Sequence, residues 1–108
     1  MKMIYVAGPY RSPRKAQMLA NVALAWEYAR RLWAQGHAVI CPHANTFEMQ
    51  GEGVTVEDIL NGDFEIIGRC DEIHILPRWE TSVGTKMEIE VAKEMGIKII
   101  YVHEATHP

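Results

Sequence analysis

Ile73-His74-Ile75-Leu76-Pro77, a loop to Gly84, a segment of helical period from Thr85 to Gly96, and Ile97-Lys98-Ile99-Ile100-Tyr101-Val102 decide the fold. Two apolar runs, the second rich in β-branched residues, flank one amphipathic stretch. Runs this apolar belong to strands buried on both faces, which means parallel strands joined by a crossover helix. The unit is strand–helix–strand.

The same grammar extends toward the N-terminus. Ile4-Tyr5-Val6-Ala7 is a short strand stopped by Gly8-Pro9. Ser12 offers a side-chain oxygen as N-cap and Pro13 suits the first helical position. Leu19, Val22, Ala23, Trp26, Leu32 and Trp33 then recur at helical spacing up to Gly36. His37 to Cys41 reads as a second strand ended by Pro42, and residues 42–53 read as an exposed loop. Thr55-Val56-Glu57-Asp58 resembles a capping box and opens a helix running to Gly68. The order is β-α-β-α-β-α-β. It predicts a small doubly wound α/β fold: a three-layer sandwich with a four-stranded parallel sheet in the order 2-1-3-4.

Composition bounds what such a fold can do. The chain has 108 residues, 48% of them hydrophobic and 23% charged. That predicts one domain over residues 1–108 and little disorder. A net charge of −3 supplies no basic excess for a nucleic-acid polymer. Cys41 and Cys70 stand apart in apolar contexts, as in a reduced, cytoplasmic protein. The apolar run at the N-terminus is too short for a signal peptide or a membrane span, so no membrane partner is expected.

In a doubly wound sheet, ligands bind beyond the carboxyl ends of the strands, at the switch between strands 1 and 3. That rule nominates Gly8-Pro9-Tyr10-Arg11, the segment around His43 and Asn45, and Arg78 to Thr85. In the last, Ser82-Val83-Gly84-Thr85 leads into a helix whose free N–H groups favour an anion. Glu88 lies one turn further on. Thr85-Lys86-Met87-Glu88 is also a T-x-x-E capping box, in which Glu88 would merely bond the backbone. Asp63 reads either as part of a solvated helix face or as a site carboxylate. Tyr5 reads as a core aromatic with a hydrogen-bonded tip, or as a site group.

Two motifs are set aside. His103-Glu104-Ala105-Thr106-His107 spells the zinc-protease pattern, but Pro108 follows at once and leaves no helix to present both imidazoles. Gly8-Pro9-Tyr10-Arg11 lacks the glycine spacing and lysine of a phosphate-binding P-loop.

Ile4 to Arg11, Asp63, Cys70-Asp71 and Ser82-Val83-Gly84-Thr85-Lys86-Met87-Glu88, in this order, resemble the nucleoside 2-deoxyribosyltransferase superfamily. That superfamily includes the 2'-deoxynucleoside 5'-phosphate N-hydrolases, and the resemblance spans nearly the whole chain. It implies cleavage or transfer at an N-glycosidic bond, without metal or cofactor. Glu88 would be the nucleophile of the G-T-x-x-E signature, Asp63 would handle the proton of the departing base, and Tyr5 would orient Glu88. Gly8, Pro9, Arg11, Ser82, Gly84 and Thr85 would bind substrate, with Arg11 and Ser82 at the phosphate-binding positions of the nucleotide-using branch. Pro9 departs from that branch, which tends to have serine there, and Ser82 replaces the aspartate of the nucleoside branch. The matches at Arg11 and Ser82 favour a nucleoside 5'-monophosphate over a free nucleoside. Trp79 would stack a base or cover the core. The resemblance also implies a homodimer or higher homo-oligomer. The competing expectation is a non-catalytic nucleotide-binding module using the same crevice; a structural dimer without ligand is the third.

Overall fold

A computed structural model describes residues 1–42, 51 and 53–103. Its elements are β1 (Met3–Ala7), α1 (Lys15–Ala34), β2 (Ala38–Ile40), α2 (Val56–Ile67), β3 (Glu72–Ile75), a 3-10 turn (Trp79–Thr81), α3 (Val83–Met95) and β4 (Lys98–Tyr101). The four strands form one sheet in the order β2-β1-β3-β4, and every pair is parallel. This is the expected α/β topology. Its register sets Tyr5 beside Ile40 on one side and Ile73 on the other.

Side chains alternate across the sheet and build two cores. Tyr5, Ala7, Ile73 and Ile75 face α2 and α3, where Ile67, Ile89 and Ala92 close over them. Ile4, Val6, Val39 and Leu76 face α1, which contributes Ala25, Ala29 and Leu32. The small Ala25 and Ala29 let the helix lie close to the strands. Of the residues that set the helical period, Leu32 faces the sheet. Leu19, Trp26 and Trp33 remain exposed.

Helix ends show where local chemistry competes. Lys15, not Pro13, begins α1, because Arg14 is extended and Ser12 bonds locally. The Ser12 Oγ accepts from the Arg14 N–H at 3.2 Å instead of capping a helix. Gly36, at φ +92°, takes the left-handed conformation that ends α1. Thr55 caps α2 as expected: its hydroxyl accepts from the Asp58 N–H at 3.0 Å, and Asp58 accepts from the Thr55 N–H at 2.9 Å. At α3 the cap is Ser82, three residues before the expected start at Thr85, and its Oγ accepts from the Thr85 N–H at 3.1 Å.

The opposite face holds a polar chain at the amino end of the sheet. Lys2 bonds Glu72 at 2.6 Å, Glu72 bonds His74 at 2.9 Å, and His74 meets the Tyr28 hydroxyl at 2.6 Å. The hydrogen bond from Lys2, then that from His74, hold Glu72 down at a pKa of about 2. This chain pins α1 to β3 and leaves the carboxyl end of the sheet free for a site.

Candidate active site

Beyond the carboxyl ends of β1 and β3 lies a cavity of about 580 Å³. That volume is in the range of small-molecule sites. Three segments form most of it, the turn after β1, one face of α2, and the start of α3, and Met18 and Pro42 also line it. Gly8 is required at the first. A Cβ there would sit 2.7 Å from the Leu76 Cβ, so only glycine lets the turn pass this close to β3.

At the floor, the Tyr5 hydroxyl donates to Oε2 of Glu88. Tyr5 is fully buried, and Glu88 and Asp63 are nearly so. The capping reading of Thr85 and Glu88 is overturned here. Ser82 takes the Thr85 amide, and the Thr85 hydroxyl donates to Ser82 at 2.9 Å. Glu88 is thereby released from the helix terminus to face Tyr5. The solvated-face reading of Asp63 is overturned as well, since its carboxyl lines the cavity with Glu88.

Burial is the main cause of the electrostatics. It lifts Glu88 to a pKa of about 7, helped by the charge of Asp63 and opposed by the Tyr5 hydrogen bond. It lifts Asp63 to about 6, again opposed by Tyr5. Tyr5 itself is driven well above its ordinary value by burial and then by the Glu88 charge. Two interacting carboxyls titrate as a pair, and between about pH 6 and 7 this pair holds one proton, which favours Glu88, the group raised further. A carboxylate beside a carboxylic acid in one cavity can supply a nucleophile and a proton donor together.

At the mouth, Arg11, Ser82, Gly84 and Thr85 line the cavity with Gly8 and Pro9. The Arg11 guanidinium lies over the Tyr10 ring, 5.7 Å from its centroid. Val83 and Gly84 open α3, where the first N–H groups have no partner within the helix. The Ser82 oxygen accepts twice from Thr85, and its own proton remains able to donate to an anion.

Several lining residues were missed from sequence. Val56, Ile59 and Leu60 form an apolar wall on α2, with Met18 of α1 contributing as well. The signal was present: Val56, Ile59, Leu60 and Asp63 fall at i, i+3, i+4 and i+7, which places the acid on the apolar stripe. Trp79 does not line the cavity. It packs at the edge of the core with its ring 5.5 Å from that of Tyr101, so the base-stacking expectation fails. His43, Asn45 and Glu104 to His107 lie outside the described residues.

Among the described residues, no group of three or more His, Cys, Asp or Glu side chains could hold a metal ion. No helix there is long and apolar enough to cross a membrane.

The fold is similar to that of a 2-deoxyribosyltransferase from the psychrotolerant bacterium Bacillus psychrosaccharolyticus. The TM-score is 0.66 at 23% identity, over 92% of this chain and 70% of that one. It is similar also to a 2-deoxyribosyltransferase from Leishmania mexicana, with a TM-score of 0.67 at 21% identity, over 94% of this chain and 63% of that one. The chain thus spans less than two thirds of the second structure's length. No curated protein matches it. A family profile described as "Domain of unknown function (DUF4406)" matches residues 2–101, nearly the whole described chain, and the chain belongs to that family.

Proposed function

We propose that this protein cleaves or transfers the N-glycosidic bond of a nucleoside or nucleoside 5'-monophosphate, with Glu88 as nucleophile. The observation that carries this reading is the buried Glu88 carboxyl, held by the Tyr5 hydroxyl in the cavity that Asp63 also lines. The fold shared with 2-deoxyribosyltransferases supports it.

The reactive form of the pair has Glu88 ionised and the single proton on Asp63, a minor share of the singly protonated state because burial raises Glu88 further. Ionised Glu88 attacks the anomeric carbon and forms an ester bond to the sugar. The bond from that carbon to the base nitrogen breaks, and its electron pair leaves with the base. Asp63 delivers its proton to the base as that charge develops. In the second half, a water or a second base attacks the same carbon, Asp63 takes the incoming proton, and the Glu88 ester breaks. Water makes the enzyme a hydrolase, and a base makes it a transferase. Two displacements at one carbon retain configuration, as in retaining glycosidases. Tyr5 positions Glu88 and withdraws charge from it in the resting state.

Substrate binding divides between the two walls. Val56, Ile59, Leu60 and Met18 offer an apolar surface to a base, while Gly8 and Pro9 border the sugar. Arg11, the Ser82 hydroxyl, Thr85 and the amides at Val83 and Gly84 suit a 5'-phosphate at the helix N-terminus. The test is incubation with ribo- and deoxynucleosides and their monophosphates, followed by chromatography for free base. Release that favours monophosphates and vanishes in Glu88→Ala supports the reading. Tight monophosphate binding without release identifies a nucleotide-binding module instead.

A further inference from the structure

From Ala16 to Trp26, α1 carries no charged side chain, and every exposed position is apolar: Ala16, Leu19, Ala20, Ala23 and Trp26. The helix has already met its obligation to the sheet through Asn21, Ala25, Ala29 and Leu32. Trp26 and Trp33 are nevertheless 61% and 56% exposed, and Leu19 47%. A continuous apolar stripe on a solvent-facing helix marks an interaction surface.

Its spacing specifies the kind of surface. Ala16, Leu19, Ala23, Trp26, Arg30 and Trp33 succeed one another by alternating steps of three and four, and all six are exposed. That is the seam of a helix that packs on another helix. Side-chain size then selects the orientation. In an antiparallel pair centred level with residues 24 and 25, Trp33 meets Ala16, Trp26 meets Ala23, and the Arg30 stem covers Leu19. Each large side chain faces a small one. A parallel pair would set tryptophan on tryptophan and alanine on alanine, leaving bulges and voids. Antiparallel pairing about a two-fold axis is also what identical surfaces require to close on themselves.

Charge and area agree. Glu27, beside the seam, is held by Arg30 at 2.6 Å and Arg31 at 3.7 Å on its own helix, so the flank is neutralised locally. Leu19, Trp26 and Trp33 together expose roughly 350 Å² per copy, about 700 Å² for a pair. The alanines, the arginine stems and the groove that both tryptophans share with Val39 and Ile40 of β2 extend this patch. The total approaches the ~1,000 Å² that a specific interface needs.

We propose that a second copy of this chain docks on α1, antiparallel, through the seam from Ala16 to Trp33. The proposal is independent of the catalytic reading.

Sedimentation of the intact protein tests it. Wild type should sediment as a dimer, and Trp26→Glu and Trp33→Glu as folded monomers with wild-type circular dichroism. Orientation is read by oxidative cross-linking against the unsubstituted protein as background. Ala23→Cys, close to the axis, should cross-link, whereas Ala16→Cys, roughly 25 Å from its mate along the pair, should not. A monomeric wild type at 100-fold the assay concentration overturns the proposal. So does a dimer that survives both tryptophan changes, equal cross-linking at both cysteines, or a monomer that floats with phospholipid vesicles.

Discussion

Tyr5 on β1 and Glu88 on α3 stand 83 residues apart in the chain, and the Tyr5 hydroxyl donates to the Glu88 carboxylate beneath the crevice. Parallel pairing of β1 with β3 carries the tyrosine to the floor, and the Ser82 cap aims the first turns of α3 at it. The contact joins a core aromatic to a helix residue that local pattern would have assigned to capping.

Removing that hydroxyl tests positioning separately from chemistry. Tyr5→Phe should lower kcat by roughly 5- to 30-fold, the kinetic equivalent of one hydrogen bond of 1–2 kcal/mol. Because the bond opposes the rise in the Glu88 pKa, the limb of the pH profile governed by the pair should also move upward. A merely structural role would leave the limb in place.

Activity should follow a bell centred between about pH 6 and 7, the values to which Asp63 and Glu88 are raised. Below it both carboxyls are protonated and no nucleophile exists; above it both are ionised and no acid remains. Asp63→Asn should abolish the upper limb and keep the lower one, because Glu88 must still lose its proton beside a neutral neighbour. The rate loss, on the order of 10²–10⁴-fold with a poor leaving base, should shrink for a substrate whose leaving group needs no proton.

The same burial makes the site costly to stability. Glu88 has a folded pKa of about 7 against 4.5 unfolded. Its favourable contribution is complete below pH 4.5 and is lost as pH rises through 7. Glu88→Gln should therefore raise stability by on the order of 2 kcal/mol at pH 8 and by almost nothing at pH 4. Glu72 runs the other way: its pKa is held at about 2, so its contribution is present above pH 4.5 and is lost as pH falls toward 2. Thermal melts across this range should show both slopes; a Glu88→Gln gain of equal size at pH 4 and pH 8 contradicts the assignment.

Two glycines at the crevice separate packing from binding. A Cβ at Gly84 meets nothing within 4 Å. Gly84→Ala should keep or raise stability, by up to ~1 kcal/mol for a helical glycine, while weakening substrate binding. Gly8→Ala must displace Leu76 and should cost about 1–3 kcal/mol. Paired melts and KM values check both.

Much of this was legible in the sequence, for identifiable reasons. Short apolar runs punctuated by Pro and Gly specified the strands, and their alternation with helical period specified the order of the sheet. The pairing of Tyr5 with Glu88 was not readable from spacing, because no local pattern links positions in different elements; the family resemblance suggested it. Thr85-Lys86-Met87-Glu88 fits a capping box equally well, and only Ser82 taking the Thr85 amide excludes that use. α1 was legible as a helix, but not the face it buries, because it carries two apolar stripes. Periodicity reports both, and closeness to the sheet, which favours Ala25 and Ala29, decides which one is buried.

The central claim is a covalent bond between Glu88 and the sugar. Its most direct test is intact-protein mass spectrometry after quenching with a 2'-fluoro nucleoside or its monophosphate, whose electron-withdrawing substituent slows release of the intermediate. The expected result is a mass increase equal to the sugar or sugar phosphate, mapped by peptide sequencing to Glu88 and absent from Glu88→Ala. Release of base with no adduct on wild type, or an adduct that persists in Glu88→Ala, would contradict the account.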